Sequence, residues 1–164
     1  MRFARVLFII VLLLCVIETV RLWFLCPDVM AAHFNLEGNP NRFVPKLLFF
    51  GYEAQTLLVV IAASLVVQVL PLILPAGWIN MRNREYWLSP ERRANTVNRL
   101  SSFGAALFTV ILIVIQVGFE LAVSANLQKP IAFAAQIMVP IIVGFILLSL
   151  VLLFWLARSF RLPS

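Results

Sequence analysis

The sequence predicts an all-α integral membrane protein, a single membrane domain over residues 1–164 with four transmembrane helices and both termini cytoplasmic. Three observations predict it. Of the 164 residues, 63% are apolar and 12% charged, where soluble domains run at about half and about a quarter. Four apolar stretches, near 4–25, 47–70, 102–123 and 131–156, reach the roughly 20 residues that a hydrocarbon core demands. The basic residues are also unevenly placed. Arg2, Arg5, Arg82, Arg84, Arg92, Arg93, Arg99, Arg158 and Arg161 fall on one side, and Arg42, Lys46 and Lys129 on the other. That is the positive-inside bias. It accounts for the net charge of +6 without nucleic acid as a partner; the partner composition implies is the lipid bilayer.

The first stretch carries basic residues ahead of its apolar run, as a signal peptide does. Glu18 and Arg21 interrupt it and no small-residue cleavage site closes it, so it reads as a retained anchor. Cys15 and Cys26 stand about 16 Å apart along one helix, beyond the reach of a disulfide. Cys15 reads as a small apolar filler, and Cys26 as a free thiol or an intermolecular bridge. Trp23 and Phe24 mark the interface and Pro27 stops the helix.

Residues 26–46 form the external loop. Asn35, Gly38 and Asn39-Pro40 suit tight turns, with Gly38 at positive φ. Phe34, Phe43 and Val44 are expected to fold back onto the bundle. Span 2 then runs to Pro71 and Pro75. The cytoplasmic loop 71–101 mixes aromatic and basic residues. Trp78, Tyr86 and Trp87 fit an aromatic belt. Ser89-Pro90-Glu91 reads as a helix start with Ser89 as N-cap. Arg92, Arg93 and Arg99 lead an amphipathic turn into span 3. Tyr86, Trp87, Arg92 and Arg93 are the expected membrane-surface residues, facing anionic lipid or acting as topological anchors. Ser101, Ser102, Ala105 and Ala106 permit close helix packing within or between chains, which leaves the oligomeric state open.

Ionisable residues inside a membrane are costly and usually functional. Threading places Glu18 and Arg21 of span 1, Glu53 of span 2, Gln116 and Glu120 of span 3 and Gln136 of span 4 in the same outer leaflet. Pro140 leaves the Gln136 carbonyl without its helical donor at that depth. Glu18 and Arg21 share a face and can pair. Three glutamates then face one arginine, with His33, Arg42 and Lys46 above them. Three readings fit: a structural network tying loop to bundle, a site for a cationic ligand from outside, or a metal or proton-handling site. No metal motif, nucleotide loop or nucleophile elbow is present. No cofactor, metal site or catalytic residue is therefore expected, and the protein is read as non-enzymatic.

Pro27, His33-Phe34-Asn35, Gly38, Pro40 and Lys46 resemble the loop pattern of the domain of unknown function 1648 family. The segment Asn83 to Arg93 is similar to a second stretch found in its four-span members. The sequence departs from the pattern at Ala31, Asn41 and Pro45, where proline, aspartate and serine are common. The family includes the N-terminal membrane part of SdpI-type proteins, which give immunity to a secreted peptide toxin. The resemblance implies a bacterial cytoplasmic membrane and an immunity-like sensor or binding module. Its partner would be an external cationic peptide or a membrane protein. His33, Asn35, Glu53 and Glu120 lead the candidate ligand site, with Glu18, Arg21 and Gln136 beside them. The loop is expected to act as its lid, Arg42 and Lys46 reaching the carboxylates below. A small transporter or channel subunit using the intramembrane carboxylates is the alternative function, and a membrane metalloenzyme a further one.

Overall fold

The computed structural model describes residues 2–161. The chain runs α1 (Arg2–Leu25), β1 (Val29–Phe34), β2 (Pro40–Pro45), α2 (Lys46–Ile73), a 3-10 turn (Ala76–Trp78), α3 (Arg84–Trp87), α4 (Pro90–Leu127) and α5 (Ala135–Ser159). Helices α1, α2, α4 and α5 are each long and apolar enough to cross a membrane. Their outer surfaces are covered with exposed leucine, isoleucine, valine and phenylalanine, as suits helices solvated by lipid.

Helix α4 is the hub. Helices α1 and α2 pack chiefly against it and touch each other little, and α5 lies chiefly on α4. The buried face of α4 explains this. Ser101, Gly104, Ala105, Thr109, Leu112, Gln116, Phe119 and Val123 recur at three- and four-residue spacing and are all buried. A Cβ on Gly104 would lie 2.8 Å from Cγ1 of Val67 on α2. Ser101 and Ala105 are therefore small for packing inside one chain. Gly104→Leu is expected to force α2 and α4 apart and cost about 2 kcal/mol. A lowered melting temperature in detergent is the readout, and an unchanged melt would remove α4 as the organising helix.

The external loop is ordered as an antiparallel hairpin, an outcome the turn residues alone did not specify. Met30 pairs with Val44, Ala31 with Phe43, His33 with Arg42 and Phe34 with Pro40. The register shifts either side of His33. Met30 and Ala31 are adjacent yet both fully buried, so the strand lacks the simple alternation by which strands are recognised. Gly38 has φ +85°, as its place in the turn requires.

Helix α4 starts at Pro90, at the helix start expected of Ser89-Pro90-Glu91, and continues without a break through the amphipathic turn into span 3; at about 1.5 Å per residue it is roughly 57 Å long. Ser89 precedes it, but its side chain makes no capping bond; its hydroxyl instead takes Arg92 at 3.5 Å. Helix α5 begins at Ala135; residues 131–134 are not helical, and among them Phe133 is bonded to Gly38 of the hairpin.

Candidate functional site

The hairpin is held to the bundle by one side chain that sequence reasoning missed. Asn126, near the end of α4, is buried. Its Oδ1 accepts from the Ala31 amide at 2.6 Å. Its Nδ2 donates to the Ala31 carbonyl at 3.0 Å and to the Ala122 carbonyl at 2.9 Å. The carboxamide thus pairs with Ala31 as a neighbouring strand would. The hairpin tip is tied separately. The Phe133 amide donates to the Gly38 carbonyl at 2.9 Å, and the Phe34 and Phe133 rings stack at 5.2 Å. A Cβ on Gly38 would sit 2.1 Å from the Phe133 carbonyl oxygen, so glycine is required here for close approach as well as for φ. The available signal for Asn126 was an amide at the second-last position of α4; for Phe133, an aromatic residue three places after Pro130.

The neck of the hairpin is closed by Lys46. Its Nζ donates to the Cys26 carbonyl at 3.2 Å, lies 3.7 Å from Asp28 and stands 5.0 Å over the Trp23 ring. A cation at the carboxyl end of α1 is favoured by the helix dipole. Cys26 is buried among Leu22, Met30, Val44, Phe49, Phe50, Phe119 and Val123. This burial pushes its thiol pKa up, with Lys46 working the other way. An intermolecular bridge at Cys26 is corrected by this packing, because the sulfur is covered.

These contacts correct the expected lid. Lys46 is committed to the neck, and Arg42 is exposed with no carboxylate partner among the described residues. His33 meets Asn41 at 2.6 Å, and the Asn35 side chain accepts from the Asn39 amide at 2.8 Å. Both serve the hairpin itself. Pro27 ends α1 and Pro40 begins β2. An aromatic layer replaces the expected ionic contact: Phe49, Phe50 and Phe119 meet one another at 5.3–5.7 Å, and Trp23 packs edge-on to Phe50 at 5.2 Å.

Glu53 lies one turn along α2 from Phe49 and Phe50 on the same buried face. It is 7% exposed, and its Oε1 has no hydrogen-bond partner. Gln116 is equally buried. It donates to Glu120 Oε1 at 3.2 Å, while its own Oε1 is unpartnered. Glu18 is paired with Arg21, whose Nε donates at 2.7 Å and whose second nitrogen reaches the other carboxylate oxygen. Between α1 and α4 runs a cavity of about 370 Å³, with Glu18, Gln116 and Glu120 as its polar lining and Val11, Leu14, Ile17 and Ile113 among its apolar walls. Cys15 stands on that wall, within electrostatic reach of both Glu53 and Glu120. Arg21 also feels Glu120.

The structure therefore brings together Glu18, Arg21, Gln116 and Glu120, with Glu53 behind them. It leaves out His33 and Asn35. Gln136 is exposed on α5, a helix that packs chiefly on α4, so the belt draws on three helices and not four. Among the described residues no group of three His, Cys, Asp or Glu side chains is placed to share a metal ion.

Of the membrane-surface residues, Trp87 turns inward. Its Nε1 donates to the Phe160 carbonyl at 2.9 Å, fastening the end of α5. Arg92 lies 4.1 Å over the Tyr86 ring, and Arg93 donates to the Leu74 carbonyl at 2.6 Å.

Residues 9–52 match the family model described as Domain of unknown function (DUF1648), the family that the loop motif resembles. The match covers most of α1, the hairpin and the start of α2, and ends just before Glu53. No curated protein and no solved structure matches the chain.

Proposed function

We propose that this is a non-enzymatic binding module of a bacterial cytoplasmic membrane, with both termini inside and the hairpin outside. In that reading it takes up a cationic amphipathic ligand, a secreted peptide being the expected class, in the cavity between α1 and α4. The observation that carries the reading is the polar lining itself: Glu120 is exposed there, next to a buried Gln116 with a free acceptor. Arg21 neutralises Glu18 and leaves Glu120 and Glu53 in excess. A ligand ammonium or guanidinium would pair with Glu120, and apolar side chains would lie on the leucine and isoleucine walls. This supports an immunity-like or sensing role. The arginine-rich end supports the orientation through the positive-inside rule.

The transport reading gains less. On the opposite half of the bundle the buried polar residues are Ser64, Thr96, Ser101 and Thr109, hydroxyl groups that offer no ionisable stepping stone for a proton.

The test is binding of a synthetic lysine-containing amphipathic peptide to the full chain in nanodiscs, beside an uncharged analogue of the same sequence pattern. Glu120→Gln is expected to weaken the cationic peptide about ten-fold, the effect of one partly desolvated charge pair, and to leave the uncharged analogue alone. Equal affinity of the two peptides for the unmodified protein would end this reading.

A further inference from the structure

We propose that the opposite end of the molecule, where α1 begins and α5 ends, holds a built site for the phosphate headgroup of an anionic phospholipid. The site is a cavity of about 440 Å³ between the α2–α3 connection and the end of α5. Arg82 lines it from the connection, Arg158 from the last turn of α5 and Arg161 from just beyond that helix. No aspartate or glutamate lines it. This proposal is independent of any ligand at the hairpin end.

The arginines of this end divide into two sets. Arg5 donates to Asn98 at 3.1 Å, Arg84 to the Gly77 carbonyl at 3.0 Å and Arg93 to the Leu74 carbonyl at 2.6 Å, and Arg92 covers the Tyr86 ring. These four are structural. Arg82, Arg99, Arg158 and Arg161 have no side-chain hydrogen bond or ion pair among the described residues; Arg99 lies at a separate cavity beside Phe3 and Trp155, and the cavity here gathers the other three. Their convergence is imposed by the scaffold. Trp87 grips the Phe160 carbonyl and packs edge-on to the Phe160 ring at 5.5 Å, which fixes the end of α5 against the connection.

Three guanidinium groups in one hollow repel each other, and an anion relieves the repulsion. Guanidinium forks match phosphate oxygens two at a time. The remaining wall selects the source of the phosphate. Leu153, Phe154 and Leu156 continue the cavity along α5, and Leu153 and Phe154 are largely exposed. A diacyl chain would lie along that face with its headgroup among the arginines. Inorganic phosphate would use only the polar half. The leaflet that positive-inside topology assigns to this end is also the one rich in anionic lipid.

The full chain, purified in a neutral detergent, is titrated with phosphatidylglycerol and read by native mass spectrometry. One saturable lipid is expected per chain, with phosphatidylcholine binding far more weakly and inorganic phosphate failing to displace it. The combined change Arg82→Gln, Arg158→Gln and Arg161→Gln is expected to weaken phosphatidylglycerol about 100-fold, at roughly five-fold per cation. Arg42→Gln with Lys129→Gln, at the hairpin end, should leave it unchanged. A folded triple variant that still binds phosphatidylglycerol overturns the proposal, as does equal affinity for phosphatidylcholine. Saturation by inorganic phosphate alone overturns the lipid assignment. Should the triple variant not fold, Arg82→Gln decides, since Arg82 lies outside the helices: a five-fold loss supports the site and no loss removes it.

Discussion

Replacing Asn126 with leucine should cost the protein about 3 kcal/mol and release the hairpin from the bundle. The side chain satisfies both polar groups of the Ala31 backbone, at 2.6 and 3.0 Å, and Ala31 is fully buried. Leucine fills similar space but leaves an amide and a carbonyl without partners, each costing about 1–3 kcal/mol. Part of that cost disappears as the hairpin lifts and water reaches Ala31. The loss should therefore appear in two places: a lower melting temperature in detergent, and faster proteolysis within the turn at Asn35–Asn39. Asn126→Asp keeps the acceptor for the Ala31 amide and loses the donors, so it should fall between. His33→Ala is the control. Its partner Asn41 is exposed, and its removal should change stability by less than about 0.5 kcal/mol. If Asn126→Leu melts and is cut like the unmodified protein, the hairpin is held by its apolar contacts alone.

What was legible in the sequence was whatever depends on one segment at a time. Length and hydropathy announce a spanning helix without reference to its neighbours, and the glycine of a tight turn announces itself through φ. Glu18 and Arg21 could be paired because both stand on one helix. The hairpin strands were not legible, since Met30 and Ala31 face different partners and break the alternation. The site was legible only in depth. Threading placed Glu53, Gln116 and Glu120 at one level, but depth says nothing of direction around a helix axis. Gln136 shares the level and points away. His33 and Lys46 were drawn toward the carboxylates by charge alone, whereas nearer partners hold them: Asn41 for one, the Cys26 carbonyl for the other. Asn126 was invisible because its meaning lies in a backbone 95 residues distant.

Glu53→Leu is expected to raise the melting temperature while weakening the cationic peptide, and that opposition of signs is its value. The carboxyl group is 7% exposed beneath an aromatic layer, and Leu57 lies one turn further along the same buried face. One of its oxygens has no partner, and neither loop cation compensates it: Lys46 is held at the neck of the hairpin, and Arg42 is exposed. Burying an ionisable group on these terms opposes folding, and an apolar residue of similar volume is commonly neutral or stabilising by about 1–4 kcal/mol. A gain of about 2 kcal/mol is expected here. Glu120→Gln should leave stability unchanged, because Glu120 is exposed. Were the acidic belt a structural network, both substitutions would instead lower the melt. Glu53 stands behind the cavity wall, within electrostatic reach of Cys15, so its carboxyl group, when ionised, adds to the field that a cation in the cavity meets. Affinity for the lysine-containing peptide should therefore fall about three-fold, less than for Glu120→Gln because the pair is indirect. A stabilised variant with undiminished peptide binding would strip Glu53 of its part in the site and leave Glu120 to act alone.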